Sequence, residues 1–330
     1  MNAAITALSH YLPDNIVTND DLAKLVDTSD EWITTRTGIK ERHIMKDEHA
    51  GSSQLAIPAV RDVLEKSGTK PEEIECLICA TSSPDYTWPS TACIIADALN
   101  IRGAMCYDIL SACTGFLYCL QQAQAFIKSG IYKKIIICSA EKCSSFMNPA
   151  DRTTLPLFGD GGSAALIEPN EEYGVLISKM HADGAGHEHL IRRCGGSVNI
   201  PSHEAVDQGL HFILQDGKYV FKNAVNFMTS AVSEVMEEGK LTLDDIDWIC
   251  THQANKRIID AVREHCNAPE EKVIVNIDHV GNTSSASIPI ALHESCLDGK
   301  IKKGDRILLA AFGSGFTWGA LYLTWGDCKI

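Results

Sequence analysis

The chain repeats itself, so any fold it adopts must accommodate two similar halves. The stretch PEEIECLICATS at 71–82 and the stretch LDDIDWICTHQA at 243–254 both run acidic, acidic, Ile, acidic. Each then enters an apolar strand that ends in small polar residues. FGDGGSAALIE at 158–168 is echoed by FGSGFTWGALYL at 312–323, with Phe-Gly-x-Gly opening an apolar strand each time. CYDILSACTG at 106–115 parallels VNIDHVGNTS at 275–284 when Cys113 is laid on Asn282. The offsets are 312 − 158 = 154, 282 − 113 = 169 and 171 to 172 for the first pair, so insertions separate the copies. We expect one half over 1–170 and another over 171–330, packed about a pseudo-twofold axis that brings equivalent loops together.

Within each half, short apolar runs alternate with segments of helical spacing. Helices are expected near 54–67, 90–99, 113–129, 218–239, 255–267 and 284–298. Strands are expected near 75–81, 105–110, 134–140, 164–168, 247–251, 273–277, 306–311 and 318–325. Such alternation implies a layered α/β architecture.

The 330 residues carry 29 basic and 43 acidic side chains, a net charge of −14, which repels nucleic acid and anionic membranes on average. The N-terminal residues lack a basic segment followed by a long apolar one. No apolar run approaches the roughly 18 residues that cross a bilayer. A cytoplasmic chain, with neither nucleic acid nor membrane as partner, is the expectation. Thirteen cysteines, an odd number lying mostly in apolar stretches, argue for reduced buried thiols. Cys76 and Cys79 form a C-x-x-C, but residues three apart on a strand point to opposite faces. No second pair completes a zinc site, and GHEHL at 186–190 reads as a polar loop, so no metal is expected.

Cys113 stands apart from the other cysteines because it lies where an apolar strand meets a helix, in DILSACTGF at 108–116. Unpaired N–H groups and the helix dipole there favour a thiolate. His252, in CTHQANKRI, lies just past a strand and ahead of a helix that Asn255 can cap. Asn282, in HVGNTSSASIP, occupies a similar junction. Alone, each has an ordinary reading: a core thiol, a hydrogen-bonded histidine, a turn asparagine. The repeat draws all three to one place.

DILSACTGF, HQANKRI, GNTSSASIP and FGSGFTWG, together with DEWITTRTGI at 30–39 and FGDGGSAAL at 158–166, resemble the motifs of the β-ketoacyl-acyl carrier protein synthase III family. These are condensing enzymes of type II fatty-acid synthesis. The resemblance runs through nearly the whole chain in order. It implies an α/β, thiolase-like, five-layered α-β-α-β-α fold from two pseudo-duplicated halves, in a homodimer. It also implies an acyltransferase that joins acetyl-CoA, or another short acyl-CoA, to malonyl-acyl carrier protein by decarboxylative Claisen condensation. No cofactor is implied beyond the coenzyme A thioester that serves as substrate. The catalytic residues carried over are Cys113, His252 and Asn282. Cys113 would attack the acyl thioester, with the N–H groups of Cys113 and Gly315 as the oxyanion hole. His252 Nε2–H and Asn282 Nδ2–H₂ would stabilise the enolate left when malonyl loses CO₂.

Further positions follow the same resemblance. Trp32, Arg36 and Arg152 would bind coenzyme A, an aromatic plane and guanidinium groups suiting adenine and phosphate. Lys222, Lys256, Arg257 and Arg263 would form a local basic patch for the acidic carrier protein. Phe158, Phe312 and Trp88 would shape the acyl pocket. Trp88 occupies a position that reaches the partner's pocket in the family, where a smaller residue is usual, so a short primer such as acetyl is expected. Three other readings remain open at this level: a polyketide- or quinolone-type synthase or acyltransferase on the same fold, a cysteine-dependent thioester hydrolase, and a non-catalytic relative.

Overall fold

The computed structural model describes residues 1–330, and its two principal sheets share one plan. The first contains β1 (Asn2–Tyr11), β2 (Cys76–Ala80), β3 (Met105–Ile109), β4 (Ile135–Lys142) and β5 (Asp160–Asn170), in the order β1-β5-β4-β2-β3. The second contains β6 (Gly174–Ala182), β7 (Trp248–Thr251), β8 (Arg306–Gly313) and β9 (Thr317–Thr324), in the order β6-β9-β8-β7. In both, the first two pairings are antiparallel and the third is parallel. Cys76 faces Ile135 in one and Trp248 faces Ile307 in the other, so both partners shift together (248 − 76 = 172; 307 − 135 = 172).

The main helices are α1 (Ser53–Ser67), α2 (Thr91–Ala98), α3 (Gly115–Ser129), α4 (Gly217–Gly239), α5 (Lys256–His265) and α6 (Ser287–Leu297). Helices α3 and α6 form the middle layer. Leu117 and Leu120 of α3 and Ile288 and Leu292 of α6 share one core with Ile78 and Ile135 of the first sheet and Ile307 and Leu309 of the second. Val60 of α1 and Ile95 of α2 cover the outer face of the first sheet through Leu77 and Ile136. Met228 of α4 and Val262 of α5 cover the second through Leu308 and Ala310. The architecture is thus α-β-α-β-α. Each of these fully buried aliphatic side chains contributes about 2 kcal/mol from area removed from water. Cys76 packs in the middle core and Cys79 in the outer one, on opposite faces as their strand spacing requires.

Several expectations change. Residues 273–277 do not form a strand: Val273 makes a single bridge to Ile249, and Ile277–Val280 is a helical turn. The Asn276 N–H turns to the side chain of Gln253 at 3.2 Å, which takes the place of a ladder bond. The two Phe-Gly motifs are not equivalent in place, because Phe158 precedes β5 whereas Phe312 lies inside β8. The pairing of Cys113 with Asn282 is off by three. Ala112 (φ +47°) and Ser284 (φ +51°) are the matching left-handed residues, each opening a tight turn that feeds α3 or α6. By that register the counterpart of Cys113 is Ser285 (285 − 113 = 172).

Helix α1 lies against β5 so closely that a Cβ on Gly162 would sit 2.1 Å from the Leu55 carbonyl oxygen. Backbone cannot yield as a flexible side chain does. Gly162→Ala should therefore cost about 3 kcal/mol of stability, read as a lower denaturant midpoint with unchanged slope; an unchanged midpoint would contradict the packing described.

Candidate active site

Cys113 is the one cysteine of thirteen that lines the main cavity, a space of about 850 Å³ between the two halves. The strand β3 ends below it, the left-handed Ala112 turns the chain, and α3 begins two residues later. Its Sγ donates to Ser284 Oγ at 3.6 Å. Burial pushes the thiol up to about 12; the Ser284 hydroxyl and the thiol's own N–H act in the opposite sense, and Glu141 adds to the rise. The helix start alone therefore does not hold a thiolate here, a correction to the expectation from sequence, because burial outweighs it.

Gly313 passes directly behind this turn. A Cβ there would lie 2.9 Å from the Cys113 nitrogen and 3.2 Å from that of Thr114. Glycine thus keeps the space beside the Cys113 amide open. No main-chain acceptor meets the N–H of Cys113 or of Gly315, and Gly315 has φ +145°, a conformation other residues rarely adopt. Both residues line the same cavity, and two free N–H groups there suit an oxygen that gains negative charge.

His252 extends the parallel pairing of β7 one residue past its end, its N–H donating to Ala310 O at 2.8 Å. Its Nδ1 lies 2.7 Å from Ser287 Oγ, on the first turn of α6. Ser287 Oγ also accepts the Gln253 N–H at 3.3 Å, and its hydroxyl proton can point to Nδ1. Burial lowers the His252 pKa to about 3, which keeps the ring neutral. The neutral ring with Nδ1 accepting carries its proton on Nε2. Asn282 is oriented by a similar device. Its Oδ1 accepts the Ser284 N–H at 2.9 Å, which leaves Nδ2 as the free end of the amide. Its backbone is held between Leu157 O and the Gly159 N–H, each at 2.9 Å. Both side chains line the cavity that holds Cys113.

Phe158 and Phe312 line the same cavity; Trp88 does not and is 83% exposed. Trp32 and Arg36 form part of the cavity wall, whereas Arg152 does not line it. The Arg36 and Arg152 guanidiniums lie 4.5 and 4.9 Å from the Trp32 ring centroid, so Trp32 already carries two cation–π partners. Arg152 also pairs with Asp27 at 3.0 Å. Of the expected basic patch, Lys222 is exposed, and Arg257 is exposed, lines the cavity and lies 5.0 Å over Phe221. Lys256 and Arg263 share Asp260 as an ion-pair partner, and Arg263 also meets Glu264 at 3.3 Å. Sequence reasoning missed Lys218 and Arg192, which line the cavity, Ser284 and Ser287, which contact Cys113 and His252, and the buried Glu141 nearby. Lys218 stands four residues before Lys222 on α4, a spacing that was open to reading. No group of three His, Cys, Asp or Glu side chains is arranged to hold a metal ion.

A neutral His252 has a direct signature. With a pKa near 3 it gains its proton only far below the ordinary histidine range, so its ring signals in NMR should stay those of neutral imidazole from about pH 8 down to about pH 5. Titration with a midpoint near 6.5 would contradict the burial described.

Residues 107–184 match the family described as 3-oxoacyl-[acyl-carrier-protein (ACP)] synthase III, and residues 236–325 match its C-terminal region. The β-ketoacyl-[acyl-carrier-protein] synthase III of Porphyromonas gingivalis is 49% identical over 326 residues, 98% of this chain and 97% of the relative. The protein named synthase III 2 in Bacteroides thetaiotaomicron is 47% identical over 327 residues, 99% of this chain and 97% of the relative. Among solved structures, 3-oxoacyl-[acyl-carrier-protein] synthase III from Aquifex aeolicus superimposes with a TM-score of 0.90 at 42% identity, over 98% and 100% of the two chains. The priming β-ketosynthase of the R1128 polyketide pathway also gives 0.90, at 30% identity over 99% and 97%. With the duplicated fold and the cavity above, these full-length matches show that the chain belongs to the 3-oxoacyl-acyl carrier protein synthase III family of condensing enzymes.

Proposed function

We propose that the protein transfers an acetyl or other short acyl group from coenzyme A to Cys113 and condenses it with malonyl-acyl carrier protein, giving a 3-oxoacyl-carrier product and CO₂. One observation carries this reading: His252 and Asn282 present neutral donors to the cavity that holds Cys113. A protonated histidine would suit a base that has just taken a proton. A neutral Nε2–H beside an amide Nδ2–H₂ suits an enolate oxygen. In the first half-reaction the Cys113 sulfur bonds to the thioester carbonyl carbon, the Cys113 and Gly315 N–H groups meet the developing oxyanion, and coenzyme A leaves. One thioester replaces another, so the acyl group is stored with little change in free energy. In the second, the malonyl C–CO₂ bond breaks, its electrons form the enolate, and the new carbanion attacks the acyl carbon and releases Cys113. No strong base is required.

Arg36 and Trp32 on the cavity wall support coenzyme A as the acyl donor. Binding there would move one guanidinium off Trp32 to admit the adenine. For the acidic carrier protein the basic groups at the cavity are Lys218, Arg257 and Arg192, joined by Lys222 on the exposed side of α4. In a chain of net charge −14 such a local patch directs docking. Lys256 and Arg263 are left with a smaller part by their pairing to Asp260.

A homodimer is part of the proposal. Strand β3 is an edge of the first sheet; Met105 on it and Leu110 just past it are exposed, as are Tyr86 and Trp88 in the loop before α2. A twofold partner would cover them and bring Trp88 toward its neighbour's cavity, where it would shorten the acyl pocket. No helix is long and apolar enough to cross a membrane, and we place the enzyme in the cytoplasm with its carrier protein. The similarity to a polyketide priming synthase keeps a specialised pathway as the second reading, which primer choice distinguishes.

Acetyl-CoA should add one acetyl group, about 42 Da, to Cys113 and malonyl-acyl carrier protein should discharge it as product. His252→Ala should still acetylate but condense about 10²–10³-fold more slowly. Release of free acetate without malonyl substrate would point instead to a hydrolase. Acetyl-CoA should be a faster primer than octanoyl-CoA in steady-state assays, and Trp88→Ala should narrow that gap; faster octanoyl turnover by the native protein would refute the role given to Trp88.

A further inference from the structure

The N–H groups of Cys113 and Gly315 belong to different turns, so their separation depends on what joins the two. Cys113 lies on the turn that feeds α3, and Gly315 lies in the turn Ser314–Gly315–Phe316 between β8 and β9. Three hydrogen bonds tie that second turn to a neighbouring segment. The Phe316 N–H donates to Asp183 O at 2.7 Å, the Asp183 N–H to Phe316 O at 2.8 Å, and the Ser314 hydroxyl to Leu190 O at 2.5 Å. Toward Cys113 the link is made by hydroxyls. Thr317, the first residue of β9, has its Oγ1 2.9 Å from Thr114 Oγ1, and Thr114 Oγ1 donates to Ser111 O at 2.7 Å. With the Thr114 proton on Ser111 O, the Thr317 hydroxyl is the donor to Thr114. Its other acceptors, Ser314 O and Ser111 O, lie farther away at 3.2 and 3.3 Å. Gly315 folds back onto the same threonine: a Cβ on it would lie 2.9 Å from the Thr317 nitrogen and 3.0 Å from its Cγ2. Where Thr317 sits therefore decides where the Gly315 amide sits.

The copy of this turn in the other half has no such bridge. By the 172-residue repeat Thr114 corresponds to Ala286 (286 − 114 = 172). Thr317 faces Gly313 across β8 and β9 as Gly161 faces Glu141 across β4 and β5, and 313 − 141 = 172, so its counterpart is Gly161. Neither Ala286 nor Gly161 carries a hydroxyl. The bridge thus occurs at the turn that holds Cys113 and not at its copy. We propose that Thr317 and Thr114 form a hydroxyl bridge that fixes the distance between the Cys113 and Gly315 N–H groups, and so sets how well the pair receives the thioester oxygen. The inference rests on the reading that these two amides serve the acylation of Cys113. Neither threonine lines the cavity, so both act through the amides they hold and are positioning residues. A misplacement of about 1 Å is enough to slow a reaction by roughly 100-fold.

The test compares two reactions of the same sulfur, each assigned to Cys113 by peptide mass. Acetyl transfer from acetyl-CoA puts charge on a carbonyl oxygen, whereas alkylation by iodoacetamide displaces iodide and leaves no oxyanion to hold. Thr317→Val keeps the branched shape and removes the hydroxyl. It should acetylate at least about tenfold more slowly than the native protein, yet alkylate within about twofold of the native rate. Thr114→Val should do the same, and Thr317→Ser, which keeps the hydroxyl, should recover acetylation to within about threefold. Because both side chains serve one bond, the double Val variant should be no more than about twofold slower than the slower single variant. Native acetylation rates in the single variants, an equal fall in both reactions, or losses that multiply in the double variant would overturn the proposal. If thermal unfolding shows that Thr114→Val, at a fully buried position, does not fold, Thr317→Val and Thr317→Ser decide alone. Acetylation of the native protein separates the two ideas. Labelled Cys113 with insensitive variants removes the bridge only, and unlabelled Cys113 removes the reading on which it stands.

Discussion

The close approach of two tight turns across the pseudo-twofold axis is the constraint on which the rest depends. Ala112 and Ser284 both adopt the left-handed conformation, each at the mouth of a middle-layer helix. Such a conformation is costly for residues with a Cβ and persists only where surrounding contacts over-determine it. Here the contacts come from the opposite half. Ser285 donates to Glu141, Gly313 backs the Cys113 amide, and the Cys113 sulfur reaches Ser284. Helices α3 and α6 share one core between the sheets, so neither turn can shift without disturbing both. The duplication thus gives the protein two similar turns and lets them diverge, one carrying Cys113 and the other Ser284 and Ser285.

The electrostatics of the site follow from the same burial. Low polarity around Cys113 and His252 disfavours charge on both, raising the thiol and lowering the imidazole. That setting suits a reaction whose charge appears only in passing, on a thioester oxygen and then on an enolate. Fixed dipoles can be aimed in advance at both places. The cavity mouth is different in character. It gathers basic side chains on a chain with 43 acidic and 29 basic residues, so attraction is confined to where an anionic partner is needed.

Much of this was legible from residues. The acidic-Ile-acidic signals before β2 and β7 mark corresponding strands, and the opposed faces of Cys76 and Cys79 follow from strand period alone. Strands β1 and β6 were missed. The Ala-rich NAAITALSHY lacks the β-branched alternation that announces a strand, and its form comes from pairing with β5, more than 150 residues away. Residues 273–277 carry a strand-like composition, but the Gln253 side chain diverts their pairing. That Cys113, His252 and Asn282 meet at one cavity was readable because motif and spacing travel together. Ser287 and Glu141 were not, since their roles exist only through contacts formed on folding. The helix-start argument for a thiolate failed because sequence shows the helix and not the depth of burial. Asp260, four residues after Lys256 and three before Arg263, was in plain view as the group that ties up both.

The central claim is that two separate donor pairs serve two oxygens. It is tested most directly by a crystal structure of the protein with Cys113 acetylated and a malonyl thioester analogue that cannot lose CO₂ in the cavity. The account predicts the acetyl oxygen within about 3 Å of the Cys113 and Gly315 N–H groups, and the malonyl thioester oxygen within about 3 Å of His252 Nε2 and Asn282 Nδ2. A malonyl oxygen held by the two backbone amides, or a His252 ring bound to the malonyl carboxylate through a protonated Nδ1, would contradict it.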